Sequence, residues 1–179
     1  MTNGLVVMTP SSIAYSGTSA SINADGSVVF SACTSLSLNG VFTGDYDNYM
    51  VTVRVTDSGS SNHYFRLRNA GSDNITANSY VRQYLLASNT SVSSARITSN
   101  YGAFAPTENG ITNGYTAYLF GPYLSQPTAT RSTSVSRTAT LLTDWACTHS
   151  VSNLFDGLTI LTDSSLTMTG LLTVFGFNQ

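Results

Sequence analysis

The sequence predicts an all-β protein, specifically an antiparallel β-sandwich of the jelly-roll type with a short N-terminal arm. Only 9% of the residues are charged, lysine is absent, and threonine, valine, tyrosine and phenylalanine are plentiful. Such a composition favours strands over helices. The chain also contains many short stretches in which apolar and polar residues alternate, separated by Gly, Asn, Asp and Pro. About ten to twelve alternating stretches between turns are typical of a sandwich or jelly roll.

The length of 179 residues suits one domain with a hydrophobic core. We divide the chain into an N-terminal arm, residues 1–12, and a single sandwich domain, residues 13–179. The apolar run of the arm consists of Leu5, Val6, Val7 and Met8. This run is either a segment that docks on a neighbouring subunit or an edge strand of its own domain, because chain termini are ordered only where something holds them.

The first hairpin of the domain is marked by Asp25 and Gly26, a turn signal between the stretches 19–23 and 28–31. The clearest strand follows at residues 50–56, where Val51, Val53 and Val55 alternate with Thr52, Arg54 and Thr56. Alternation of this kind indicates a strand with one buried face. Residues 64–68 alternate again, and we interpret the two stretches as antiparallel strands joined by a loop.

The second half of the chain predicts further strands at residues 80–87, 115–120, 158–161 and 166–177. Two more are predicted within 128–142, where Val135 and Leu142 are among the side chains available for burial. The polar stretch 88–114 predicts long loops with one or two short strands. The last strand is apolar on both faces, with Leu172 and Val174 on one and Leu171, Phe175 and Phe177 on the other. A strand of this type is central in its sheet or is covered by another subunit.

Arg54, Arg66 and Arg68 would share one outward face if the strands 50–56 and 64–68 paired. Such a face is either a solvated surface balanced by nearby aspartates or a subunit interface, where arginine is favoured for its planar guanidinium group. The predicted assembly interface consists of Leu5, Val6, Val7, Met8, Arg54, Arg66 and Arg68.

Composition and motifs exclude several classes of function. The net charge of -2 provides no basic surface for nucleic acid, and no apolar run approaches the roughly 18 residues that membrane insertion needs. Asp45 and Asp47 alternate as in a calcium loop, but the third ligand and the glycine are missing. Asp144, His149 and Ser150 lack a nucleophile elbow. We therefore expect no enzyme, no cofactor and no metal.

The two cysteines, Cys33 and Cys147, leave two alternatives open. They either form a disulfide across the domain or remain two buried thiols that behave as small apolar side chains. The N-terminus has no basic residue before its short apolar run, so we expect no signal peptide.

Several segments of the chain resemble a family of small structural proteins from tailed bacteriophages. The family shows an SLNGxF segment with YDNY, then FRLRxxGxDN, then a final TGxxxVxG strand, and the chain contains SLNGVF, YDNY, FRLRNAGSDN and TGLLTVFG in this order. The resemblance extends from about residue 12 to the end. It implies a protein of the virion or tail and brings no catalytic residues.

On this resemblance we expect a virion structural protein, either a capsid decoration (cement) protein or a tail-fibre-type module. It would be made in the host cytoplasm, lie on the virion surface, and dock on capsid or tail proteins as a homo-oligomer, with a trimer favoured. The alternative is a receptor- or carbohydrate-binding module at a tail-fibre tip that recognises a host surface glycan. Its candidate stacking residues are Tyr101, Tyr115, Tyr118, Tyr123 and Trp145.

Overall fold

The structure, a computed structural model, describes residues 4–136, 141–163 and 165–178. These residues form fourteen strands and no helix. The strands are β1 (Val6–Val7), β2 (Ser12–Ile22), β3 (Val28–Asn39), β4 (Asn48–Asp57), β5 (Ser61–Asn69), β6 (Ser72–Asp73), β7 (Tyr80–Ser88), β8 (Ser91–Ser99), β9 (Gly102–Thr107), β10 (Thr112–Phe120), β11 (Gln126–Ser136), β12 (Leu141–Asn153), β13 (Gly157–Leu161) and β14 (Met168–Phe177). The prediction of an all-β protein is confirmed.

The strands belong to one continuous antiparallel sheet with the order β6-β5-β13-β3-β14-β4-β10-β11-β12-β7-β8. Three further strands pair beside this path: β1 with β14, β2 with β3, and β9 with β5. The sheet curls so that strands from opposite ends of this order meet. The Phe65 ring of β5 lies edge-on to the Tyr80 ring of β7 at 5.8 Å, and it also stacks on Phe104 of β9 at 4.3 Å. The more specific prediction of a jelly-roll sandwich stays a prediction, since the strands form a single sheet.

The core lies on the inner face of this curled sheet. Alternate residues of β4, β10 and β14 point into it, and their neighbours on each strand point outward. Its fully buried side chains include Leu36, Leu38, Phe65, Leu67, Leu119, Leu158 and Ile160. The core also encloses both cysteines as free thiols, so Cys33 and Cys147 are buried and unpaired with each other.

The predicted pairing of residues 50–56 with residues 64–68 is wrong. Strand β4 lies between β14 and β10, where Val53 pairs with Leu172 on one side and Tyr115 on the other. Strand β5 instead lies between β13 and the two strands β9 and β6. Alternation identifies the buried face of a strand but not its neighbour, and a long connection adds little entropic cost.

The stretch 88–114 was predicted as long loops with one or two short strands; the strands are confirmed, but the long loops are wrong. Strands β8 and β9 occupy most of this stretch, and β10 begins at Thr112. Strand β8 is the last strand of the sheet and follows β7 through a tight turn in which Asn89 has a positive φ of 51°. Most of its residues are exposed or half-buried, which is why its sequence is as polar as a loop.

Two predicted elements are confirmed by the register of the sheet. Strands β2 and β3 form the first hairpin, and Gly26 in its turn has a φ of 84°, which glycine adopts without strain. Strand β14 is central, with β4 along one edge and β3 and β1 along the other. Its Leu172 and Val174 are buried in the core.

Candidate functional site

The candidate site is the side of β14, β4, β10, β11 and β12 that faces away from the core, which we call the outer face. Residues paired across neighbouring strands point to the same side of a sheet, so the register defines this surface. The outer face consists of Leu171, Thr173, Phe175, Phe177, Met50, Thr52, Arg54, Gly114, Thr116, Tyr118, Phe120, Ala129, Arg131, Thr133, Val135, Leu142, Asp144 and Ala146.

The register arranges the outer face in rows that cross the strands. One row is mostly aliphatic and contains Leu171, Arg54, Gly114, Val135 and Leu142. The next row contains Thr173, Thr52, Thr116 and Thr133. The aromatic side chains come next, and the Tyr118 ring lies 6.4 Å from that of Phe120 and 6.3 Å from that of Phe177. No single strand shows this arrangement, because each row takes one residue from each strand.

Several shallow cavities lie along the outer face, and two of them cover most of its rows. The first has a volume of about 450 Å³ and is lined by the aliphatic row and the threonine row. The second has a volume of about 360 Å³ and lies between Tyr118, Phe120, Arg131, Thr133 and Phe177. The exposed fraction is 62% for Leu142, 52% for Val135 and 40% for Tyr118. An apolar surface of this extent is a feature of sites that contact another molecule.

Charge is sparse on the outer face. Its charged side chains are Arg54, Arg131 and Asp144. Arg131 binds Asp144 through two hydrogen bonds, Nε to Oδ1 at 3.1 Å and Nη2 to Oδ2 at 2.7 Å, and the Asp144 carboxylate raises the pKa of Arg131. Among the described residues, Arg54 has no acidic partner within ion-pair distance. The outer face therefore has one positive charge that is not neutralised locally.

The three predicted interface arginines do not share a surface. Arg54 lies on the outer face, whereas Arg66 and Arg68 lie on β5, four strands away in the sheet. Arg68 is only 7% exposed and donates hydrogen bonds to Ser37 Oγ at 3.0 Å and Thr159 Oγ1 at 2.7 Å, and also to Asp73. The prediction of Arg68 as an outward interface residue is wrong, because its guanidinium group serves the packing of its own domain.

The N-terminal arm pairs with its own domain. Val6 and Val7 of β1 lie opposite Gly176 and Phe175 of β14, and the Met8 N–H donates to the Val174 carbonyl at 2.8 Å. The arm is thus an edge strand, as one of the two alternatives proposed. Leu5 and Val7 remain exposed beside this edge. Docking of the arm on a neighbouring subunit stays a prediction.

The candidate stacking residues are distributed over different parts of the fold. Tyr115 is buried, with its hydroxyl 3.1 Å from His63 Nδ1, and Tyr123 packs against the core. Trp145 is buried against Tyr84. Tyr118 belongs to the outer face, and Tyr101 packs on the ring of Tyr64. These residues therefore do not form one stacking platform.

Asp144 and His149 of the rejected catalytic combination lie on opposite sides of β12. Asp144 binds Arg131 on the outer face, whereas His149 is packed in the core between Tyr80 and Phe155. Within the described ranges, no three His, Cys, Asp or Glu side chains are grouped as metal ligands. No helix long and apolar enough to cross a membrane occurs in those ranges.

Sequence reasoning missed most of the outer face. Phe120 was assigned only to a strand, and the expectation that Val135 and Leu142 are available for burial is wrong, because all three are exposed apolar side chains beside buried neighbours. The available signal was apolar residues at outward positions in three successive strands.

Comparison with protein-family models finds no match, and comparison with curated proteins finds no significant match.

Proposed function

We propose that this chain is a structural protein of a tailed-bacteriophage particle, a surface decoration protein or a fibre-type module that assembles as a homo-oligomer. The observation that carries the proposal is the outer face, which combines exposed apolar and aromatic side chains with very few charges. Soluble proteins rarely expose such a surface unless another molecule covers it. The resemblance of the chain to small phage structural proteins supports the setting.

A second copy of the chain is the occupant that best fits the outer face. Interfaces between identical subunits are more apolar than transient interfaces, and tyrosine, phenylalanine and arginine are enriched in them. Tyr118, Phe120 and Phe177 provide aromatic groups, and Arg54 provides a guanidinium group that a partner carboxylate can bind. A trimer is our preferred state, with the oligomer docked on capsid or tail proteins at the virion surface.

The proposal includes the architecture. The curl of the sheet brings β5 and β9 against β7, β11 and β12, so that core side chains from the two ends interdigitate. The Ser132 hydroxyl of β11 donates to the Phe104 carbonyl of β9, and the Tyr80 hydroxyl of β7 accepts from the Leu67 N–H of β5 at 2.9 Å. This packing supports a jelly-roll-like sandwich in which one long sheet folds over itself.

The oligomeric state tests the proposal directly. Light scattering on the purified chain should give a mass above that of the monomer, with a trimer expected. Val135→Asp combined with Leu142→Asp should give monomers, because two carboxylates would be buried in an apolar interface. The control is Ser93→Asp, an exposed position of the edge strand β8 that points to the opposite side of the sheet, and this variant should keep the oligomer.

The composition of purified phage particles tests the proposed role as a structural protein of the particle. Mass spectrometry of purified particles should find the chain in stoichiometric amounts. A monomeric wild-type chain, or an oligomer that survives the double substitution intact, would refute the outer face as the interface. Absence of the chain from the particles would refute the structural role.

A further inference from the structure

A further cavity is separate from the outer face and lies on the inner side of the curled sheet. This crevice has a volume of about 150 Å³ and opens between β5 and β9 on one side and β7, β8 and β12 on the other. Its half-buried rim includes Asn62, Tyr64 and Tyr84, and its buried floor includes Arg82, Thr143 and Trp145. The crevice therefore combines aromatic walls with a cationic floor.

The aromatic walls are rigid. Tyr84 and Trp145 face each other from paired positions on β7 and β12, with ring centroids 4.4 Å apart and planes inclined by 35°. On the other side, Tyr64 packs on Tyr101 with a centroid distance of 4.5 Å. Because each ring is already held by its neighbour, the side chains lose little conformational freedom when a ligand binds between the two pairs.

The cation of the floor lacks a counter-ion. Arg82 is 5% exposed, and its guanidinium carbon lies 4.8 Å from the Tyr101 ring centroid and 5.3 Å from that of Tyr64. Its Nη1 donates to Ser99 Oγ at 2.8 Å and to the Tyr101 carbonyl at 3.0 Å. Among the described residues, no carboxylate lies within 4.0 Å of this guanidinium group. A buried charge without a counter-ion is costly, so such groups normally have one.

Two N–H donors of the floor also lack hydrogen-bond partners within the protein. Arg82 Nε and Trp145 Nε1 are both buried and make no hydrogen bond to the protein. Buried donors without partners are rare in native proteins, and each one requires an explanation. The nearby Asp163 accepts hydrogen bonds from the Asn62 backbone and side chain through Oδ2, and it makes no hydrogen bond to either of these donors. Oxygen atoms of a bound ligand could accept hydrogen bonds from these two donors.

We propose that the crevice binds one six-membered sugar ring that carries a carboxylate, that is, an acidic monosaccharide unit. A cavity of about 150 Å³ is on the scale of a single six-membered ring. The carboxylate would pair with Arg82, and the apolar face of the sugar would pack between Tyr64 and Tyr84. A hydroxyl group on the ring would donate to the side-chain oxygen of Asn62, since the Asn62 amide nitrogen already donates to Asp163 and the Thr143 hydroxyl is already bonded to Ser134. This site is independent of the proposed assembly role.

The fluorescence of Trp145 provides a direct test, because it is the one tryptophan of the sequence. We would titrate the wild-type chain with methyl glucuronide, with neutral methyl glucoside and with benzoate. The glucuronide should change the emission saturably, and the glucoside should bind at least about tenfold more weakly, since it lacks the charge-assisted hydrogen bonds to Arg82. Benzoate, which has the carboxylate but no hydroxyl groups, should also bind more weakly than the glucuronide.

Variants separate binding from folding. Arg82→Gln should abolish the preference for glucuronide over glucoside, whereas Arg96→Gln on β8, an exposed arginine outside the crevice, should keep it. No saturable response to glucuronide, or an equal response to glucoside, would refute the proposal. Tighter binding of benzoate would refute the assignment to a sugar. If Arg82→Gln does not fold, the relative binding of glucuronide, glucoside and benzoate to the wild-type chain still tests the proposal.

Discussion

Arg68 shows how one side chain can connect several strands. It extends from β5 to Ser37 and Asn39 of β3, Thr159 of β13 and Asp73 of β6, and it also donates to the Gly71 carbonyl. The sequence assigned it to a surface because it alternates with Phe65 and Leu67. The alternation was read correctly, but this part of the second face of β5 is also covered, which single-strand periodicity cannot show.

Replacing Arg68 should therefore destabilise the fold. Arg68→Met should lower the free energy of unfolding by about 3 kcal/mol, because it removes the guanidinium group that pairs with Asp73 and donates to the buried hydroxyl groups of Ser37 and Thr159. Arg66→Met is the matched control: Arg66 lies 3.8 Å from Asp73 and is more exposed, so its loss should cost less than about 1 kcal/mol. Urea denaturation of both variants measures the difference. Equal losses would contradict the internal role of Arg68.

His149 gives the protein a predictable pH dependence. Burial lowers its pKa from 6.5 to about 4. The unfolded chain therefore takes up a proton between pH 6.5 and 4 that the folded chain does not, so stability falls as the pH falls through this window. At pH 5 the free energy of unfolding should be about 1–2 kcal/mol lower than at pH 8 because of this residue.

The variant His149→Gln isolates this effect, since all other titrating groups remain. Denaturation of both proteins at pH 8 and pH 5 gives the change in stability of each. The wild-type chain should lose more stability than the variant over this interval. Parallel losses would show that His149 does not titrate in the folded protein as its burial implies.

At the scale of elements, the sequence predicted where strands lie better than how they pair. The strands at residues 50–56, 115–120 and 158–161 were predicted because a buried face leaves an alternating pattern in the sequence itself. Their partners were not predictable, because Val53 could pack equally well in several registers. Strand β8 was predicted only as a short strand between long loops, for a related reason: an edge strand with mostly exposed side chains leaves little apolar pattern.

Strand β4 allows its two faces to be tested separately. Val53 is buried, so Val53→Asp should abolish soluble folded protein by placing an unpaired carboxylate in the core. Thr52 lies on the outer face, so Thr52→Asp should fold, with a circular dichroism spectrum like that of the wild type. If the outer face is the subunit interface, Thr52→Asp should also weaken the oligomer in light scattering. Loss of folding in both variants would mean that both faces of β4 are buried in the monomer.

At the scale of the whole molecule, the candidate site arises from the register of five strands. The sequence contained one hint, the apolar residues on both faces of β14, and this hint correctly indicated a central strand. The rows of the outer face could not be predicted, because they bring together Leu171, Arg54 and Leu142, which are distant in sequence and aligned only by the sheet. Pairings over such separations also favour slow folding.

The central position of β14 makes the two ends of the chain unequal. Removing residues 168–179 would separate β4 from β3 and open the core, so the truncated chain should not fold and should be found in the insoluble fraction. Removing residues 1–7 takes away β1, which pairs with two residues at the β14 edge. That chain should fold with a melting temperature lowered by a few degrees at most, since a short edge strand contributes few contacts. Thermal melts followed by circular dichroism compare the two, and a folded chain without β14 would show that the sheet can close without its central strand.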